Sequence, residues 1–292
     1  MLGYLFAVIS SLFYSLYVVP RKLSKLSPVI FSFFMAAGYG ISAIVLYLFQ
    51  PLLNFHETVS AALWVAVLAG IIWAAAFVCF VSAIDALGLA RSNQWKNLQG
   101  PVAIFLSLLF LGEFAAINPF FAILAALAIF LSAVCFTIPS GHQKHIIIRG
   151  VALASLSALG FGTVAVLQKY LTSTIGVYSV QVVFSFSIAT SLAWYLFLSK
   201  KLGGVRTSSK KDTVLGLCAG VLYLGASLFQ LLSYTYLAAS IAFTIIQLNT
   251  LWTVFIGIFI FKEINFGKHY QRVSMGFLLT IVGIILLAFA RK

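Results

Sequence analysis

The chain has 292 residues, 63% of them hydrophobic and only 8% charged, with a mean hydropathy of +1.12. A soluble domain carries about 25% charged residues, so a water-soluble globular protein is excluded. The net charge of +13, from 18 basic and 5 acidic residues, fits basic loops lying against anionic head groups better than a nucleic-acid surface.

The apolar residues fall in segments of the roughly 20 residues that an α-helix needs to cross a bilayer. A membrane barrel would instead alternate over segments of about ten residues. The start, "MLGYLFAVIS", has no basic n-region and no small-residue cleavage site, and is expected to be a retained first span. Ten spans are expected, near 2–20, 28–49, 62–86, 89–111, 118–138, 149–170, 178–198, 213–236, 239–261 and 272–290. Pro20, Pro28, Pro51, Pro119 and Pro139 mark breaks, and "SKKLGGVRTSSKKD", Ser199 to Asp212, is the longest polar loop. The other loops are short, so neighbouring helices pack antiparallel and no room is left for an extramembrane domain. Cys79, Cys135 and Cys218 lie within apolar segments and read as small buried hydrophobes, not as a disulfide or metal set.

Ten spans invite a search for a repeat. "GIIWAAAFVCFVSAIDALGLARSNQWKNLQGPVAIFLSLLFLGE" from Gly70 aligns without a gap, at an offset of 150, with "GVLYLGASLFQLLSYTYLAASIAFTIIQLNTLWTVFIGIFIFKE" from Gly220. Each half of that alignment holds a long helix, a short turn, a helix polar in its first half, and a terminal Glu, Glu113 or Glu263. "GYLFAVISSLFYSLYVVPRK" from Gly3 likewise matches "GVALASLSALGFGTVAVLQK" from Gly150. The expected fold is an all-α polytopic membrane protein of ten transmembrane helices in two five-helix repeats, 1–140 and 141–292. Five is odd, so the second repeat enters the membrane in the opposite sense, a common carrier plan with its site between the halves. Fourteen basic residues fall in the odd-numbered loops and three, Lys169, Arg291 and Lys292, on the other side. The positive-inside rule then places both termini outside the cytoplasm, in an inner or plasma membrane.

Between two apolar flanks lies "ARSNQWKNLQGP", Ala90 to Pro101. On a helix, Asn93, Lys96, Asn97 and Gly100 share one face. A charge at the bilayer centre costs at least about 2.5–3.5 kcal/mol, and such residues usually face a cavity. Snorkelling to the interface is the alternative; it suits Arg91 better than Lys96. Asn93, Asn97 and Gln99 have the alternative of bonding neighbouring helices. In the matching helix "SIAFTIIQLNTLWTVF", Gln247 aligns with Asn97 and Asn249 with Gln99. Amides both donate and accept, which suits sugar hydroxyls. The candidate substrate-binding residues are Asn93, Trp95, Lys96, Asn97, Gln247, Asn249 and Trp252, with Tyr14, Tyr17, Trp73 and Tyr223. Trp73 and Tyr223 also align at the offset of 150. For each aromatic residue, lipid contact or core packing is the alternative.

These features resemble the drug/metabolite transporter superfamily: ten spans, a five-plus-five duplication, and helices ending in "LGE" and "FKE". "YVVPRK" and "LNTLWTVFIGIFIFKE" lean toward its glucose/ribose-type sugar-uptake branch or the broader EamA-like group. The resemblance implies the fold, but members carry sugars, amino acids, nucleotide sugars and drugs. The charge bias departs from many EamA-like members, whose termini are cytoplasmic.

The five acids, Glu57, Asp85, Glu113, Asp212 and Glu263, lie at or outside span ends, and the four histidines lie in loops. No H-E-x-x-H or Walker motif is present, so neither an enzyme nor a cofactor or metal site is expected. The expected function is secondary transport of a small polar metabolite, a sugar by first choice, by alternating access. An exporter of amino acids or other metabolites is the alternative, and a receptor or structural subunit a more distant one. Lys96 is the candidate for proton coupling, with uniport as the alternative. The partners are the lipid bilayer and a small-molecule substrate, with a monomer or homodimer as the assembly.

Overall fold

A computed structural model describes residues 1–49, 60–111, 118–136, 144–172, 174–237, 239–264 and 266–290. All regular structure among them is helical. The helices are α1 Leu2–Leu16, α2 Val19–Leu23, α3 Pro28–Phe49, α4 Leu63–Leu87, α5 Leu89–Lys96, α6 Gln99–Leu111 and α7 Pro119–Phe136. They continue as α8 Lys144–Thr172, α9 Val177–Leu198, α10 Leu202–Arg206, α11 Lys210–Tyr236, α12 Ala239–Ile246, α13 Asn249–Phe255 and α14 Phe266–Phe289.

Eight of the described helices are long and apolar enough to cross a membrane, with α1 and α2 counted as one. Each buries only 33–56% of its most apolar window. The remainder faces outward and is just as apolar: Leu48, Trp64 and Trp194 are 64–69% exposed. A helix apolar all round must be covered on every side, so lipid is the outer layer and the chain is a multi-pass membrane protein. Cys218 is exposed on this outer surface and Cys79 and Cys135 are partly so, which corrects the expectation of three buried thiols. An apolar face turned to lipid accepts a thiol as readily as a packed interior does.

The other two expected spans are not single helices. Residues 89–111 break at Asn97–Leu98, between α5 and α6, and residues 239–260 break at Gln247–Leu248, between α12 and α13. Both breaks are built alike. Leu98 N–H donates to Trp95 O and Gly100 N–H to Asn97 O; Leu248 N–H donates to Ile245 O and Thr250 N–H to Gln247 O. These three-residue steps tighten the turn relative to an α-helix. At the first break Pro101 supplies a cause: it has no N–H for the Asn97 carbonyl, and its ring crowds that carbonyl. Pro20 acts in the same way on Leu16, and α1 ends there.

The packing pairs helices from the two halves of the chain. α4 lies against α8 and α9, α11 against α1 and α3, α3 against α9, α7 against α14, and α5 against α8 and α13. Small residues allow the closest approaches, as is usual between membrane helices. A Cβ at Gly220 would lie 2.1 Å from Met35 O, and one at Gly38 would lie 2.3 Å from Leu217 O, so α3 and α11 meet backbone to backbone. The expected boundary at 140/141, and Glu113, Pro51 and Pro139, lie outside the described residues.

Candidate functional site

α4 ends at Gly88, whose φ of +88° suits glycine, and α5 starts one residue later. That single-residue turn drives the polar segment straight back into the bundle. Lys96, on the last turn of α5, is 4% exposed. Its Nζ lies 5.1 Å from the Phe80 ring centroid and 5.6 Å from that of Phe161, within the range of cation–π attraction. It makes no ion pair among the described residues.

Lys96 lines a narrow cavity of about 40 Å³ together with Tyr14, Tyr17, Trp73, Tyr223 and Asn249. That is well below the range of about 300–1,000 Å³ usual for small-molecule sites, so the surrounding helices must part to admit a solute. α1 brings Tyr14, α4 Trp73, α8 Phe161 and Gln168, α11 Tyr223 and Gln230, and α6 Gln99. Trp73 and Tyr223 meet with ring centroids 4.7 Å apart, and Tyr17 lies 5.2 Å from Tyr223. Trp73 also stacks on Phe77 at 4.6 Å.

Amides and hydroxyls form the polar part of the wall. Tyr14 OH donates to Gln230 Oε1 (2.5 Å), and Gln230 Nε2 donates to Gln168 Oε1 (3.2 Å) and to Tyr234 OH (2.9 Å). Behind Tyr223, Tyr39 OH donates to Gln181 Oε1, whose Nε2 reaches Ser227 Oγ at 2.9 Å. Gln99 Nε2 donates to Gln247 Oε1 at 3.3 Å, joining the two helix breaks.

Six of the eleven expected residues therefore line one cavity: Tyr14, Tyr17, Trp73, Lys96, Tyr223 and Asn249. The other five do not. Trp252 is 45% exposed on the outer surface, because Asn249, Thr250, Thr253 and Val254 take the buried face of α13 and leave the opposite side to lipid. Trp95 turns away from Lys96 and packs edge-on against Phe130 of α7 at 5.6 Å. Gln247 is fully buried behind the wall, where a Cβ on Gly100 would lie 2.6 Å from its Nε2. Asn93 and Asn97 are buried beside Lys96 without lining the cavity. Asn93 Nδ2, both polar atoms of the Asn97 amide, Gln247 Nε2 and Asn249 Oδ1 have no hydrogen-bond partner among the described residues. Unpaired buried amides are rare and call for an explanation; these cluster at the two breaks.

The lining residues Gln168, Gln230 and Phe161 lay outside the expected set. Gln168 and Gln230 did carry a signal, since each is an amide inside an otherwise apolar span.

One end of the bundle is tied by two ion pairs. Arg21, 6% exposed, donates from Nε and Nη2 to the two oxygens of Asp85 and from Nη1 to Leu26 O. Lys22 Nζ lies 2.7 Å from Glu263 Oε1. Glu263 also accepts from the N–H groups of Leu89 (2.7 Å) and Ala90 (2.8 Å), which caps α5. An acidic group is well placed there, at the positive end of a helix.

Residues 1–139 match a family model described as "Sugar transport protein", which supports a sugar-transport-like membrane family. No curated protein matches the chain. Among solved structures, one described as "Crystal structure of protein" is similar with a TM-score of 0.66 at 13% identity, covering 99% of this chain and 98% of that one. At that identity the likeness concerns the fold alone.

Proposed function

We propose that the chain is a secondary carrier that moves a small polar metabolite, a sugar by first choice, by alternating access. The observation that carries this reading is the central cavity, with its tyrosine and tryptophan faces, its bonded glutamines and one lysine, inside a chain whose first half matches a sugar-transport family. Aromatic faces suit the C–H face of a sugar ring, and amides suit its hydroxyls. The chemistry asked of the protein is binding and release.

The fold is read as ten spans in two inverted repeats divided near residue 140, with 89–111 and 239–261 as the two broken spans. Supporting this are the alike breaks at an offset of 150 and the reciprocal packing of α4 on α8 and α9 and of α11 on α1 and α3. Discontinuous helices at the interface of two repeats are where carriers bind substrate. The Arg21–Asp85 and Lys22–Glu263 pairs fasten the end that the charge bias assigns to the cytoplasm. The cavity extends from Lys96 toward Gln168 and Gln230, which lie nearer the opposite end. Transport would require the two ends to open in turn.

Uptake of radiolabelled sugars and amino acids by proteoliposomes holding only this chain, without ATP, tests the proposal. Saturable uptake of a sugar is expected. Saturable uptake of amino acids alone would favour the alternative exporter reading, and no saturable uptake of any solute would remove the carrier reading.

A further inference from the structure

Lys96 is an ammonium buried in the middle of a membrane protein, and the described acids are all engaged elsewhere. Asp85 holds Arg21, Glu263 holds Lys22 and the start of α5, and Asp212 accepts from Lys25 N–H and Ser209 Oγ. The rings of Phe80 and Phe161 flank Lys96 Nζ, and rings attract a cation without neutralising it. A buried charge is normally paired. Here the group is open on the side of the cavity, whose wall otherwise offers neutral amides, phenols and rings.

Resting on the carrier reading, we propose that the solute is a monoanionic sugar acid, whose carboxylate seats on Lys96 and whose hydroxylated carbons lie among Tyr14, Gln168 and Gln230. A neutral sugar would leave the ammonium without a counter-charge and gain nothing from it. A phosphate dianion carries twice the charge that a single lysine offsets, and Lys96 is the one cationic side chain lining the cavity among the described residues. A carboxylate of single charge matches it, and the aromatic pair Trp73–Tyr223 covers the C–H face of the same molecule.

The test compares matched pairs that differ in one oxidised carbon: D-glucose and D-glucuronate, D-galactose and D-galacturonate, D-ribose and D-ribonate. Uptake of each labelled compound is measured in proteoliposomes of the full chain, with D-glucose 6-phosphate as the dianion arm. At least one acid is expected to be taken up about tenfold more efficiently than its neutral partner, a difference of the order of one buried charge contact. Lys96→Gln should bring that acid down to the level of the neutral sugar, and Lys96→Arg should keep the preference. Uptake of neutral sugars equal to or above their acids, preference for the phosphate, or an acid preference unchanged in Lys96→Gln would overturn the proposal while leaving the carrier reading intact. If none of these compounds moves, the sugar-acid proposal is overturned, and the carrier reading is decided separately by the wider panel that includes amino acids. Should Lys96→Gln fail to fold, the wild-type ratio between acid and neutral sugar decides alone.

Discussion

Lys22 and Glu263 lie 2.7 Å apart although 241 residues separate them in the chain, and the same carboxylate caps the N-terminus of α5. The two contributions differ in size. Lys22 keeps 27% of its side chain accessible, and an ion pair of that kind is worth about 0–1 kcal/mol. A helix cap is worth about 0.5–2 kcal/mol, and Glu263 serves two backbone donors. Glu263→Ala is therefore expected to lower the melting temperature in detergent more than Lys22→Ala. In a background lacking the native cysteines, both changes should speed labelling of Tyr17→Cys from the end that carries these residues. Equal melting temperatures for the two variants, with labelling unchanged, would remove Glu263 as a fastening group.

The backbone contact of α3 with α11 gives a sharper stability test. A methyl group at Gly220 would sit 2.1 Å from Met35 O, and the neighbour is backbone, not a flexible side-chain tip. Overpacking of that kind costs about 1–3 kcal/mol or more. Gly220→Ala and Gly38→Ala should each cut the yield of folded, monodisperse protein. Gly203→Ala, with nothing within 4 Å of its Cβ, should not. Normal yields of Gly220→Ala would show that α3 and α11 are not in backbone contact in the membrane.

The Tyr14–Gln230–Gln168 network is expected to hold the polar end of the solute. Tyr14→Phe removes one hydroxyl and Gln230→Leu a whole amide with three bonds. A single net hydrogen bond is worth about 0.5–1.5 kcal/mol, about two- to twelvefold in affinity. Tyr14→Phe should raise the half-saturation concentration within that range and Gln230→Leu beyond it, with insertion unchanged. Half-saturation values equal to wild type in both would place the solute elsewhere.

Much of this organisation was legible in the sequence, and the exceptions have physical causes. The expected span at 28–49 coincides with α3 because Pro28 fixes its start, and Lys96 stood out because charge is costly in lipid. The breaks at Asn97 and Gln247 were not anticipated: Pro101 was a signal for the first, but "QLNT" carries no proline to mark the second. Trp252 and Trp95 were placed by residue type. An indole suits lipid, a core or a ligand equally, and only the rotation of α13 and α5 decides among them. The same ambiguity hid Phe161, one of 28 phenylalanines.

Orientation rests on charge. With fourteen basic residues in the odd-numbered loops against three on the other side, both termini are expected outside the cytoplasm. A fluorescent reporter that matures only in the cytoplasm, fused after Lys292, should stay dark, while the same reporter inserted in the Ser199–Asp212 loop should be bright. Fluorescence from the Lys292 fusion would invert the assignment and, with it, the end at which Glu263 acts.

In the carrier reading, the cavity around Lys96 is the path and resting place of the transported solute. The most direct measurement is the protection of a single cysteine at Gln168 in a chain lacking Cys79, Cys135 and Cys218. The rate of its reaction with a membrane-impermeant thiol reagent is followed in proteoliposomes, with and without the sugar or sugar acid that the same vesicles take up. Gln168→Cys is expected to react, and the transported solute to slow the reaction with half-maximal protection near its half-saturation concentration, while a non-transported stereoisomer does not. A chain that still transports, with a cysteine at 168 that is unreactive or reacts at the same rate with solute present, would contradict it.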